Sequence, residues 1–252
     1  MRDINKYTED YAKQDFEVYQ VEYRRKKIIE QIDKYQPKRI LEIGCGMEPL
    51  FLYVQGKDWV IVEPSELFCE NARNKIGRSD HVHVVQGFLE EHITELKEEN
   101  YDMIICAALL QEVEAPEHML QDIFQLCGNR TIVHINVPNA KSFHRILARN
   151  MGISNEYELT ERNILLQQNM VFDMERLQGM VINSNFEILD QGSCLIKPFT
   201  HKQMQRLLEQ EIIDREVLDG LYNMTNDFPM LGSEIFVNCR KIDDGREKNH
   251  DK

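Results

Sequence analysis

Nowhere in the 252 residues does an apolar run approach the ~20 that a membrane span requires, and the opening MRDINKYTED has no basic-then-apolar leader. A membrane-spanning or exported protein is therefore not expected, and the expected location is the cytoplasm. Basic residues are in deficit, with 30 Lys+Arg against 43 Asp+Glu and a formal net charge of −13. A field of that sign repels phosphate backbones and anionic lipid, so neither nucleic acid nor a membrane surface is expected as a partner. Paired cysteines are missing too. Cys45, Cys69, Cys106, Cys127, Cys194 and Cys239 are scattered, without a CxxC pair or a grouping with histidines. They read as buried, reduced thiols, with no metal site and no disulfide framework. The chain also lacks internal repeats and low-complexity tracts. What remains, with 42% hydrophobic residues and a mean hydropathy of −0.48, is a globular chain of a size that one α/β domain reaches.

The order of elements narrows the fold. Residues 8–36 read as helix, with Val18, Val21, Ile28, Ile32 and Tyr35 on one face. Apolar strands follow at Arg39–Ile43, Trp59–Val62, Val82–Val85, Asp102–Cys106 and Thr131–Ile135, separated by helical stretches around Pro49–Tyr53, Ser65–Ile76, Leu89–Leu96 and Pro116–Leu126. Ala140–Met151 continues as helix. Near-continuous apolar strands alternating with helices predict a parallel sheet covered on both faces. Gly152–Asn169 is long and polar for an internal connection, which suits a substrate cover. A helix over 173–183, a strand from Phe186, a helical insertion over 198–232 and a strand Glu234–Cys239 complete the chain, and the charged tail is expected to fray. The expected division of this single domain is 1–37 helical lid, 38–151 cofactor-binding core, 152–184 cover, 185–241 last strand pair with its insertion, and 242–252 tail.

The turn Gly44-Cys45-Gly46 joins the first strand to the next helical stretch. Glycines there permit a tight turn and let a ligand lie against bare backbone. Glu63 ends the second strand, where a carboxylate can accept from both ribose hydroxyls of an adenosine. A dinucleotide site needs a third glycine, and position 49 holds Pro. Glu42 and Glu48 flank the turn where a diphosphate wants positive surroundings. A cationic ligand is favoured, and S-adenosylmethionine carries both a sulfonium and an ammonium.

These residues resemble a family. Ile40-Leu-Glu-Ile-Gly-Cys-Gly46 is similar to motif I of the class I S-adenosylmethionine-dependent methyltransferases, and Val60-Ile-Val-Glu-Pro-Ser-Glu66 to their second-strand motif. Val84-Val-Gln-Gly-Phe-Leu-Glu-Glu91 resembles the adenine-side segment, and Tyr101 to Glu114 the fourth-strand segment. The resemblance implies a Rossmann-like, mostly parallel seven-stranded sheet with the last strand antiparallel. It implies S-adenosylmethionine as cofactor and S-adenosylhomocysteine as product. It further implies Glu42, Gly44, Cys45 and Gly46 around the methionine moiety, Glu63 and Pro64 at the ribose, Gly87, Phe88 and Leu89 beside the adenine, and Ala107, Ala108 and Leu109 beneath the cofactor. Glu48 stands where the family commonly has a further glycine, and Phe88 where it commonly has an acid. Tyr11 or Tyr19 is a candidate to cover the methionine end.

Methyl transfer from a sulfonium is an in-line displacement that needs alignment more than a strong nucleophile. Catalytic candidates at the carboxyl edge are Gln111 with Glu112 after the fourth strand, and His144 with Arg145 after the fifth. His144 is a candidate base, with Lys141 or Arg145 gripping an anionic group on a small-molecule acceptor. The alternative for His144 is an ordinary surface histidine beside a helix cap. His134 reads as a satisfied core histidine. The His/Arg pair favours O-methylation over N- or C-methylation, and Asn136 to Gly152 resembles methyltransferases of surface-polysaccharide or natural-product pathways. The alternatives are a nicotinamide-dependent oxidoreductase, a cofactor-binding protein without catalysis, and methylation of a basic protein tail. Either a monomer or a homodimer is expected.

Overall fold

Seven strands form one sheet in the computed structural model, which describes residues 16–77, 80–155, 157–159, 163, 164 and 167–242. They are β1 (Arg39–Ile43), β2 (Asp58–Glu63), β3 (Val82–Gln86), β4 (Met103–Ala107), β5 (Ile132–Pro138), β6 (Phe186–Cys194) and β7 (Glu234–Lys241), in the order β3-β2-β1-β4-β5-β7-β6. β1 to β5 are parallel, and β7 runs antiparallel between β5 and β6, as the resemblance implied. The central strands are apolar on both faces because both faces are covered: Met103 to Cys106 of β4 are all at most 1% exposed. The chain moves outward from β1 to β3 and then restarts at β4 on the other side of β1. A crevice therefore opens between β1 and β4 at the carboxyl ends of the strands.

One face buries Leu41, Val62, Ile104 and Ile135 against α3 (Ile93–Leu96), α4 (Pro116–Leu126) and α6 (Met174–Asn183). The other buries Ile40, Ile61 and Ile105 against α2 (Glu66–Ile76) and the second half of α1 (Glu17–Tyr35). A third cluster joins Phe16 and Tyr23 at the start of α1 to Leu195, to Met204 of α7 (His201–Glu209) and to Leu218 and Tyr222 of α8 (Arg215–Asn223). The insertion thus packs on α1 rather than on the sheet. α5 (Phe143–Asn150) follows β5 and has no fully buried residue. The helices begin where the sequence offers caps: Ser65, Asp173 and Asp214 accept from the amides of Phe68, Arg176 and Val217. All six thiols are buried and free. No helix among the described residues is long and apolar enough to cross a membrane.

Two expectations need correction. The helix expected around Pro49–Tyr53 is a single 3-10 turn, Leu50–Leu52, which cannot gather the aligned amides of a longer helix. The face of α1 is also rotated: Val18 is 77% exposed, while Glu17, Gln20, Tyr23, Ile28, Gln31 and Ile32 are buried. Half of that face is polar: Glu17 and Gln20 meet partners at the candidate site, and Gln31 accepts from Asn238 in β7.

Candidate active site

Both glycines of the β1 turn adopt left-handed backbone, φ 76° at Gly44 and 58° at Gly46, which a side chain would strain. The Gly44 N–H donates to the Val62 carbonyl (2.8 Å), so the turn is fastened to β2. A Cβ on Gly44 would touch Leu109, and one on Gly46 would meet nothing within 4 Å. The turn therefore faces Leu109 on one side and presents open backbone on the other. Glu63 is 5% exposed; one carboxylate oxygen accepts from the Ser65 N–H (2.8 Å) and the other from the Gly46 N–H (3.3 Å). These bonds hold the carboxylate beside the open backbone of Gly46. Pro64 is half-buried between Glu63 and the cap of α2.

The other acidic residues of the turn are not bare charges. Glu42 is buried and accepts the Leu50 N–H (3.1 Å); burial, opposed by that bond and aided by Glu63, pushes its carboxyl up to about 8. It therefore carries little charge at neutral pH. It also occupies the amide that would otherwise greet a phosphate, a further mismatch with a dinucleotide. Glu48 is ion-paired with Arg25 and accepts from the Tyr53 hydroxyl (3.1 Å). Cys45 is buried, and burial drives its thiol pKa far up, so it is no thiolate.

Around the crevice, the Gly87 N–H donates to the Glu63 carbonyl (3.0 Å), and a Cβ on Gly87 would fall 2.4 Å from His92 Nε2. At φ 149° any side chain at position 87 would be strained, and the glycine brings half-buried Phe88 to the end of β3. Leu89 is 3% exposed and packs in the main core, so its side chain is directed away from the crevice. Ala107, Ala108 and Leu109 are half-buried at the end of β4, with Ala108 at φ 53°. Gln111 is 2% exposed; its Nε2 donates to the Ala108 carbonyl (2.7 Å), and its Oε1 has no hydrogen-bond partner among the described residues. Glu112 is buried beside it. Tyr11 lies outside the described residues, and half-buried Tyr19 rests against Phe16.

The residues after β5 face the connection that follows them. His144 is half-buried, its Nδ1 3.1 Å from Ser142 Oγ, and Arg145 donates to the Glu158 carbonyl (2.9 Å). Lys141 is ion-paired with Asp173 (2.6 Å), which also caps α6 and accepts from the Tyr157 hydroxyl (2.7 Å). The connection docks on the loop after β4 as well: Asn169 donates from its backbone to Gln111 O (2.8 Å) and from its side chain to Glu112 O (3.0 Å). In β5, His134 Nδ1 bonds Asn238 (2.8 Å) while Nε2 has no partner among the described residues, and burial lowers the imidazole to about 4.

A polar cluster at the same edge has no counterpart in the sequence reading. Arg24 grips Glu234, the first residue of β7, through two bonds of 2.8 and 2.6 Å. Gln20 donates to Glu234 and Ser233 (2.9 Å each), and buried Lys197 lies 2.7 Å from His201 Nδ1. His201 is also 3.8 Å from Glu17. Glu17, Gln20 and Arg24 recur at helical spacing, the signal that marks this stripe, yet in sequence it is indistinguishable from a solvated face.

Comparison with known proteins agrees with this geometry. A family model described as "Methyltransferase domain" matches residues 18–191. A comparison with curated proteins found no significant match. Among solved structures, the chain is similar to a possible histamine N-methyltransferase from Thermotoga maritima (TM-score 0.55, 17% identity, covering 81% of this chain and 82% of that one). It is also similar to a methyltransferase from Archaeoglobus fulgidus (0.55, 15%, 89% and 98%) and to the N-methyltransferase NodS from Bradyrhizobium japonicum, solved with S-adenosylhomocysteine (0.53, 10%, 87% and 86%). At these identities the structures speak for the fold, while the family match spans well over half of the chain. The chain belongs to the methyltransferase-domain family and is a class I, S-adenosylmethionine-dependent methyltransferase.

Proposed function

We propose that the enzyme methylates a small molecule held over the carboxyl ends of β4 and β5 and the amino end of β7, beneath α1, α7 and α8. The observation that supports this is the cover itself: α1 is packed on the insertion through Phe16, Tyr23, Met204, Leu218 and Tyr222 and stapled to β7 by Arg24 and Glu234. An edge roofed in this way suits a compact acceptor better than a protein tail or a nucleic acid strand.

In this reading Gly44, Cys45 and Gly46 offer backbone to the methionine end, with Glu42 behind them. Glu63 accepts from the ribose hydroxyls beside Pro64, Gly87 and Phe88 border the adenine, and Ala107 to Leu109 form the floor. Leu89 supports that wall from the core. When bound, S-adenosylmethionine supplies a methyl group already activated on a sulfonium. The protein's task is then to hold the acceptor atom in line and exclude water, an orientation effect of about 7–11 kcal/mol. His144, Gln111 and Arg145 border the acceptor side. Lys141 and Arg145 are occupied by Asp173 and the Glu158 carbonyl, so an anionic group would first have to displace those partners.

Calorimetric titration with S-adenosylhomocysteine tests the cofactor half, with NAD as control. Heat and a thermal upshift with the first alone are expected; neither at millimolar concentration overturns the reading. For the catalytic half, His144→Gln is expected to lower turnover of an identified acceptor, and unchanged turnover removes His144 as base.

A further inference from the structure

The amino edge of the sheet, opposite the glycine turn, holds a cavity of about 360 Å3 where β2 and β3 begin. Its walls are apolar: Phe51, Val54, Trp59, Ile76 and Val82 line it. Phe51 and Trp59 are buried in the cluster beneath α1 and α2, and Val54, Ile76 and Val82 pack against that cluster, so the core itself fixes the shape of these walls. Trp59 stands four residues before Glu63 in β2, about 13 Å along the strand, so this cavity and the cofactor crevice are separate places. Pockets for small ligands start near about 300 Å3, and one of this size suits a ligand built on a single ring or a short chain.

The charges among the lining residues give the ligand's polar end. Lys57 is half-buried, and its ammonium has no hydrogen bond or ion pair among the described residues. Lys75, near the end of α2, donates to the Met47 carbonyl (3.0 Å), a neutral acceptor that leaves its charge unbalanced. The acid that lines the cavity, Asp58, is 2.7 Å from His81 Nδ1 and is directed to that ring rather than to either lysine. In a chain of net charge −13, two lysines without a carboxylate partner beside apolar walls form a local field of the opposite sign. We propose that this cavity binds a small amphipathic carboxylate, with its apolar body against Phe51, Trp59 and Ile76 and its charged end at Lys57 and Lys75. An amine is repelled by the lysines, and a neutral ligand leaves Lys57 unpaired. A phosphate monoester brings a second negative charge close to Asp58. The site is independent of methyl transfer and adds a second ligand to the molecule.

Trp59 is the single tryptophan of the chain, so its emission reports on this wall directly. Full-length protein, with and without S-adenosylhomocysteine, is titrated with hydrocinnamate, hydrocinnamamide, phenylpropylamine, phenethyl phosphate and acetate, followed by Trp59 fluorescence and by calorimetry. Hydrocinnamate is expected to give a saturating emission change, to bind about fivefold more tightly than its amide, the size of an ion pair at a partly exposed rim, and to outbind the other three. Its affinity is expected to be the same with and without S-adenosylhomocysteine. Lys57→Met is expected to remove the margin over the amide while leaving the amide's own affinity in place. Val54→Phe, which fills the cavity, is expected to weaken acid and amide alike by about tenfold or more. No saturable change at millimolar hydrocinnamate overturns the proposal, as does an amide or amine that binds as well as the acid. Acetate binding equally removes the apolar walls from the site, tighter phenethyl phosphate replaces the carboxylate class, and displacement by S-adenosylhomocysteine moves the ligand to the crevice; each overturns the proposal. So does a margin that survives Lys57→Met, or binding that survives Val54→Phe.

Discussion

Replacing Glu63 with Gln tests the cofactor geometry most directly. The side chain keeps its shape, and the oxygen facing Ser65 still accepts that N–H (2.8 Å), but an NH2 group now confronts the Gly46 N–H, which the native carboxylate accepts at 3.3 Å. Without ligand, the loss of that bond costs about 1 kcal/mol, or roughly 2–4 °C in Tm for a domain of this size. With ligand the loss is larger, because both ribose hydroxyls exchange a charged acceptor for a neutral amide. Bonds to charged groups are worth about 1.5–3 kcal/mol against about 1 for neutral pairs, so a deficit of roughly 2–3 kcal/mol follows. That raises the Kd for S-adenosylhomocysteine by about 30- to 150-fold. Calorimetry with S-adenosylhomocysteine, adenosine and adenine localises the effect: the first two weaken together, and adenine, which lacks the ribose, does not. A variant that folds and binds S-adenosylhomocysteine within threefold of wild type refutes the assignment, as does equal weakening of adenine.

Other substitutions probe the surroundings. Glu42→Gln is expected to melt above wild type at pH 8 and alike near pH 4. The folded carboxyl is raised to about 8, so its contribution is full below the unfolded value and is lost as pH rises toward 8; melting curves across that range check this. Asp173→Ala removes the cap of α6 and the anchor of Lys141 and Tyr157, for a loss of about 2–4 kcal/mol by denaturant titration. Burial pushes that carboxyl up, but bonds from Lys141, the Arg176 N–H and Tyr157 together hold it below its ordinary value, so the difference from wild type shrinks as pH falls through the acid range. Arg24→Leu strands the buried Glu234 and is expected to cost about 3–5 kcal/mol, whereas the double variant with Glu234→Leu recovers much of that. A double-mutant cycle measures the coupling.

The inner parallel strands were legible because each is a short apolar run buried on both sides, a pattern with few other uses: Trp59–Val62 lies within Asp58–Glu63, and Arg39–Ile43 coincides with β1. The glycine turn and Glu63 were legible for a related reason, since left-handed backbone and a strand-end acid leave marks in residue type. The single turn after Pro49 was not, because it depends on Glu42 taking the Leu50 amide across eight residues. Nor was the state of Glu42, which local sequence presents as a charge and burial makes nearly neutral. The buried face of α1 escaped because Glu17, Gln20 and Arg24 find partners more than 170 residues away, at His201, Ser233 and Glu234. Periodicity reports that a face exists; only tertiary contacts reveal what satisfies it. The Gln111 oxygen without a partner among the described residues is invisible for the same reason, being defined by what does not reach it.

The place of β7 bears on how the molecule is made. In the sheet it lies between β5 and β6, although it follows both in the chain. During synthesis from the N-terminus, β6 therefore has no neighbour on the growing sheet until Glu234–Lys241 has emerged. The same strand delivers Glu234 to Arg24, so the first helix gains its staple at that moment. Sheet closure and roofing of the proposed acceptor site become one late event, and a nascent chain halted before residue 234 exposes the unpaired edge of β5 to aggregation and leaves its first helix without that anchor.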